Sequence, residues 1–139
     1  MSYYPFSEYD LGYDIVIYKK DNGDAVAVRK VNNEIVVEGD HTTVISQILS
    51  STDYKSILIH GDFTINSTIE VASNKKIVIN GSIKKNAFIG ALFKITGDNV
   101  RFYYGKLIGA DDLLTSDQHD IRNSAFWISG SDTDYVEHI

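Results

Sequence analysis

The sequence predicts an all-β fold: a parallel β-helix of about three to four coils, preceded by a β-hairpin and capped by a short α-helix. Three observations predict it. ILIHG (57–61) returns as IVING (77–81) after 20 residues, and Gly105 follows Gly81 after 24. Two residues beyond each glycine stands an apolar side chain: Phe63, Ile83 and Leu107. A second line runs STIEVAS (67–73), ALFKITG (91–97) and SAFWISG (124–130), aligning Ile69 with Phe93 and Phe126, and Val71 with Ile95 and Ile128. A short strand with one apolar face cannot bury it alone, whereas stacked like strands build a continuous core. An antiparallel sandwich with regular strand spacing is the competing arrangement.

The elements follow in order. Residues 1–12 form a polar-aromatic arm carrying Tyr3, Tyr4, Phe6 and Tyr9. Residues 13–39 form a hairpin or meander. Its turn is Asn22-Gly23, a type I′ signal because both central positions of that turn need positive φ. Glu34–Val37 supplies a third strand. Residues 40–139 hold the capping helix and the coils, in one domain with 13–39. In GDHTTVISQILSS, Asp40 or Thr42 can N-cap a helix whose apolar side is Val44, Ile45, Ile48 and Leu49. That side suits the open end of a stack of strands, which otherwise exposes edges and core. The first lines of the repeat place Ile57-Leu58-Ile59, Ile77-Val78-Ile79 and Val100-Arg101-Phe102 together. Leu58, Val78 and Arg101 then share an outward column, with His60, Asn80 and Tyr103 beside it.

Composition narrows the function. The chain has 139 residues and a formal charge of −6, which argues against a surface tracking nucleic-acid phosphates. Lys75–Lys76 and Lys84–Lys85 read as solvated turn residues. With no Cys, disulfides and thiolate metal sites are excluded. MSYYPFSEYD has no basic or apolar run and does not read as a signal peptide, and no stretch predicts a membrane span. Asn66-Ser67-Thr68 and Asn80-Gly81-Ser82 match the N-glycosylation pattern, which matters only in a secreted protein of a glycosylating host.

The helix DHTTVISQIL, the coil ILIHGDFTINSTIEVASNKKIVINGSIKK and its successor ALFKITGDNVRFYYGKL resemble the N-terminal region of the pectate-lyase-like right-handed parallel β-helix superfamily, over about residues 40–130. The resemblance implies a right-handed coil capped by its N-terminal helix. It also implies one of several roles: polysaccharide lyase, glycoside hydrolase, viral tailspike or surface adhesin. Fold does not choose among them. Lyases of this kind use Ca²⁺-binding carboxylates and a basic proton acceptor, and hydrolases use paired Asp on neighbouring coils.

The outward columns show no such acid pair: Glu70 is followed by Lys94 and Trp127. The acidic segment GADDLLTSDQHDIRNS (109–124) lengthens one repeat and offers Asp111, Asp112, Asp120 and His119 as candidate acid, base or metal groups. The same residue types also make ordinary solvated turns. Trp127, Tyr103 and Tyr104 are candidate carbohydrate-binding residues, since an exposed ring can stack on a sugar and one of two adjacent strand tyrosines must face out. Cover by the 109–124 loop or another subunit is the alternative for Trp127. The sequence therefore favours a non-enzymatic structural or carbohydrate-recognition module of a viral spike or cell-surface adhesin, extracellular or on a virion. Its expected partner is a polysaccharide or cell-surface glycan, without nucleic acid or membrane insertion. A homo-oligomer is expected, a trimer on the resemblance. The alternative is a polysaccharide lyase or glycoside hydrolase. No cofactor is expected on the first reading, and Ca²⁺ on the lyase reading.

Overall fold

The computed structural model describes residues 12–86, 91–108 and 126–128. They begin with a three-stranded antiparallel meander: β1 (Ile15–Lys19), β2 (Ala25–Arg29) and β3 (Glu34–Gly39). The β1–β2 turn lies at Asn22-Gly23, but it is not type I′. Within the loop 21–23 only Gly23 has positive φ, 93°. Lys20 O accepts from Gly23 N at 2.9 Å, and Asp24 O accepts from Lys20 N at 2.7 Å. This is a three-residue loop closed by a left-handed glycine, the other common solution to the same hairpin. The Asn22 side chain accepts from Asp24 N at 2.9 Å and holds the loop's exit.

Helix α1 (His41–Leu49) is N-capped by Asp40, whose carboxylate accepts from Thr43 N at 3.0 Å and Thr43 Oγ1 at 2.7 Å. Those bonds hold the Asp40 carboxyl below the ordinary carboxylate range. The Thr42 hydroxyl, the other candidate cap, instead accepts from Asn66 N at 2.9 Å. His41 Nδ1 accepts from Thr64 N at 3.0 Å, which leaves Nε2 to donate to Gly23 O at 2.7 Å. The helix start is thus tied both to the hairpin loop and to the segment around Thr64. Val44, Ile45, Ile48 and Leu49 are fully buried, each contributing about 1.5–3 kcal/mol of burial free energy.

The remaining strands are β4 (Ser56–Ile65), β5 (Ile69–Val71), β6 (Lys75–Lys85), β7 (Phe93–Ile95), β8 (Val100–Ile108) and β9 (Phe126–Ile128). They fall into two sheets: six strands in the order β3-β2-β1-β4-β6-β8, and three in the order β5-β7-β9. The expected right-handed parallel β-helix is therefore corrected. The main unit is one mixed sheet with antiparallel pairs, not a solenoid of coils. The physical reason is that β1 hydrogen-bonds in parallel to β4, Ile15 opposite Ile57 and Ile17 opposite Ile59, so the meander extends the repeat strands instead of standing apart from them. Asp14 fixes that junction, its carboxylate accepting from Lys55 N at 2.8 Å and Ser56 N at 3.1 Å.

The repeat itself appears as in-register parallel pairing. Ile57, Gly61 and Phe63 of β4 face Ile77, Gly81 and Ile83 of β6, and Ile69, Phe93 and Phe126 line up across the small sheet. On β8 the alignment needs one adjustment. Ile77 pairs with Phe102 and Ile79 with Tyr104, but Ser82 pairs with Lys106. The register shifts by one residue, so Asn80-Gly81 stands against Gly105 alone. The core lies between the sheets and α1. Phe63, Phe93 and Phe102 are its largest fully buried side chains.

Two of the lysines expected to be solvated are buried: Lys75 is 3% exposed and Lys85 4%, while Lys76 and Lys84 are exposed. The cause is strand parity, since 75 falls on the same face as Ile77 and Ile79, and 85 on that of Ile83. The Lys75 ammonium donates to the carbonyls of Ser51 and Tyr54. Burial pushes it below the ordinary lysine value, with Asp14 and Asp53 opposing the shift. Between that lowered value and the unfolded value of about 10.4 the unfolded chain binds more protons, so this residue makes stability rise with pH across that window. Urea unfolding at several pH values should show the native chain gaining stability relative to Lys75→Met as pH increases. Parallel profiles for the two would mean that the buried charge carries no such cost.

Candidate functional site

The face of the six-stranded sheet turned away from the core carries its own apolar cluster. Val16, Tyr18, Val26, Val28 and Leu58 are buried there, with Tyr13 and Val78 packed against them. Strand alternation builds this face: where Ile57, Ile59, Ile77 and Ile79 point to the core, Leu58 and Val78 point the other way. On β8 it is Tyr103, not Arg101, that stands opposite Val78. The outward row is therefore Leu58–Val78–Tyr103, flanked on one side by Ser56–Lys76–Arg101 and on the other by His60–Asn80.

An open hollow of about 570 Å³ lies along this row. Leu58 and Val78 contribute its apolar lining, Tyr13 and Tyr103 its aromatic rings, and Lys76 and Asn80 its polar groups. The Lys76 ammonium stands 5.7 Å from the Tyr103 ring centroid, which places cation and ring side by side. Asn80 Nδ2 lies 3.1 Å from His60 Nδ1, and the His60 ring meets Tyr18 edge-on at 6.1 Å. Beyond the bend, Ser82 Oγ donates to Asp62 Oδ1 at 2.9 Å. No protein-family model, curated protein or solved structure matches this chain.

Tyr103 and Tyr104 both border the hollow, Tyr103 beside Lys76, and Tyr104 also packs against the core, its ring 5.5 Å from that of Phe126. Trp127 pairs with Lys94 in the small sheet, so Tyr103 and Trp127 belong to different sheets, and the Trp127 side chain lies outside the described residues. Asp111, Asp112, His119 and Asp120 also lie outside them, as do the arm before Gly12 and the final stretch with Tyr135, Val136 and His138. Among the described residues there is no cluster of three His, Asp or Glu side chains able to hold a metal ion, and no helix is long and apolar enough to cross a membrane.

Sequence alone does not single out Tyr13, Lys76 and Asn80 as parts of a site. Lys76 and Asn80 carry a usable signal, because they share outward parity with Val78. Tyr13 carries none: it reaches the hollow only because β1 docks in parallel on β4.

Proposed function

We propose that this chain is a non-enzymatic carbohydrate-recognition module, of the kind carried by viral spikes and cell-surface adhesins, and that it binds a glycan along the Leu58–Val78–Tyr103 row. The observation that carries this reading is the composition of the hollow. A sugar ring offers an apolar C–H face and a rim of hydroxyls. Tyr13 and Tyr103 supply aromatic surface, and the Asn80 amide and Lys76 ammonium supply hydrogen bonds at the edge. The volume is within the range of ligand clefts, about 300–1,000 Å³, and its openness to solvent suits part of an extended chain.

The test is a glycan-array screen followed by titration of the best-retained glycan. Tyr103→Ala should weaken binding about tenfold or more, the scale of losing one aromatic anchor. Val31→Ser, at an exposed position between β2 and β3 that is not part of the lining, should bind like the parent. Retention of no glycan, or equal affinity for Tyr103→Ala, would sink the proposal.

A further inference from the structure

We infer that the glycan bound along the Tyr103 row carries a tetrahedral oxyanion, a sulfate or phosphate ester, which lodges in the basic hollow beside it. This rests on the reading above and names the class of saccharide it requires.

A second hollow, of about 480 Å³, opens where β4, β6 and β8 begin. Its lining includes Lys55, Lys76 and Arg101, together with Asn74 and Asn99, and no acidic side chain. This is notable in a chain of net charge −6, where cations do not gather by default. Their gathering follows from register. Lys76 and Arg101 pair across β6 and β8, and Lys55 directly precedes β4. Asn74 and Asn99 hold equivalent left-handed positions, φ 61° and 59°, one residue before their strands. Asn99 Nδ2 donates to Asn74 Oδ1 at 3.2 Å, which stacks the two amides along the wall.

Around this hollow the cations outnumber the nearby acids. Lys75 also lines it, but its ammonium is committed to the Ser51 and Tyr54 carbonyls. Two acids stand near, Asp14, whose carboxylate accepts from the Lys55 and Ser56 N–H groups, and Asp53, and neither lines the hollow. Lys76 lines both hollows, so a ligand on the Tyr103 row lies next to the basic one.

The choice of a tetrahedral anion comes from where the donors stand. They arrive from β6, from β8 and from the residue just before β4, and neighbouring strands lie about 4.8 Å apart. A planar carboxylate presents two oxygens in one plane and is satisfied by a single guanidinium. A sulfate or phosphate ester presents three outward oxygens and can take donors from all three places at once. Nucleic acid also offers phosphates, but it brings a charge at every nucleotide against the overall negative charge, whereas a glycan with one ester brings a single charged group to the local basic hollow.

The experiment uses the full chain and a panel in which one oligosaccharide backbone is neutral, carboxylated, sulfated or phosphorylated, with inorganic sulfate and a single-stranded oligonucleotide as further probes. The sulfated or phosphorylated form should bind at least tenfold more tightly than the neutral form. Which of the two esters binds better identifies the source of the anion. Lys55→Gln and Arg101→Gln, which leave the Tyr103 row intact, should remove that advantage while affinity for the neutral form stays. Melting curves would confirm that both variants fold. If neutral or carboxylated forms bind as tightly as the esters, the inference falls and the carbohydrate reading stands. If the esters bind equally well to Tyr103→Ala, or the oligonucleotide competes as well as they do, the hollow is a general anion surface and the inference is overturned. If no member of the panel binds, both readings fall.

Discussion

Gly81→Ala should lower the unfolding free energy by about 3 kcal/mol or more and the melting temperature by on the order of 10 °C. Two effects combine at this position. Gly81 has φ 137°, a conformation that side-chain-bearing residues rarely adopt. A Cβ there would also lie 2.0 Å from Gly61 O and 2.6 Å from Gly61 C. Those are backbone atoms of the neighbouring strand, so relief requires β4 and β6 to move apart at their bend. Gly23→Ala separates the two effects. Gly23 also has positive φ, 93°, but a Cβ there meets nothing within 4 Å. It should lose only the conformational part, about 1 kcal/mol. Thermal and urea unfolding of the two variants would check this. Equal losses would mean that the close approach of β4 and β6 costs nothing to disturb.

Phe93→Ala should cost about 3–5 kcal/mol, the range for deleting a fully buried aromatic ring. Phe93 belongs to the small sheet, and its ring centroid is 4.8 Å from that of Phe102 in the large sheet and 5.8 Å from that of Phe126. Phe102 and Phe126 meet edge-on at 4.9 Å. The cavity left would sit where the two sheets meet, and ring contacts worth about 0.5–1.5 kcal/mol beyond area burial would go with it. Phe93→Leu should recover more than half of the loss. Combining Phe93→Ala with Phe102→Ala should cost less than the sum of the two, because both delete the same contact. Denaturant titration decides it: a loss below about 1 kcal/mol for Phe93→Ala would show that this cluster does not join the sheets.

Much of the strand pairing is legible in the sequence because like residues recur at matching offsets. The small-sheet line of Ile69, Phe93 and Phe126 needs only three short motifs. The mixed sheet is not legible, because the period reports which strands lie side by side and not which other strands join them. Twenty-six residues beginning at Glu34 and ending at Ile59 hold a strand, a helix and the first repeat, and nothing local in them says that β1 will dock on β4. The hairpin is visible in Asn22-Gly23, but its turn type is not, since a glycine ending a three-residue loop reads like one inside a two-residue loop. Lys75 and Lys85 mislead because residue type points to solvent at strand ends where parity points to the core. For the candidate site, alternation foretells that one of Tyr103 and Tyr104 faces outward. Only the one-residue register shift, absent from any local pattern, selects Tyr103 and brings it to Val78 and Lys76.

The docking of β1 on β4 also governs the order of assembly. The β1–β2 hairpin closes over a three-residue loop and can form within microseconds. Ile15 and Ile57, by contrast, are neighbours in space but 42 residues apart in the chain, and β4 must await β6 across a further 20. Closing such long loops before their contacts repay the lost chain entropy slows folding towards the millisecond-to-second range. During synthesis the hairpin therefore emerges complete and waits with an unpaired edge until the first repeat strand arrives to cover it.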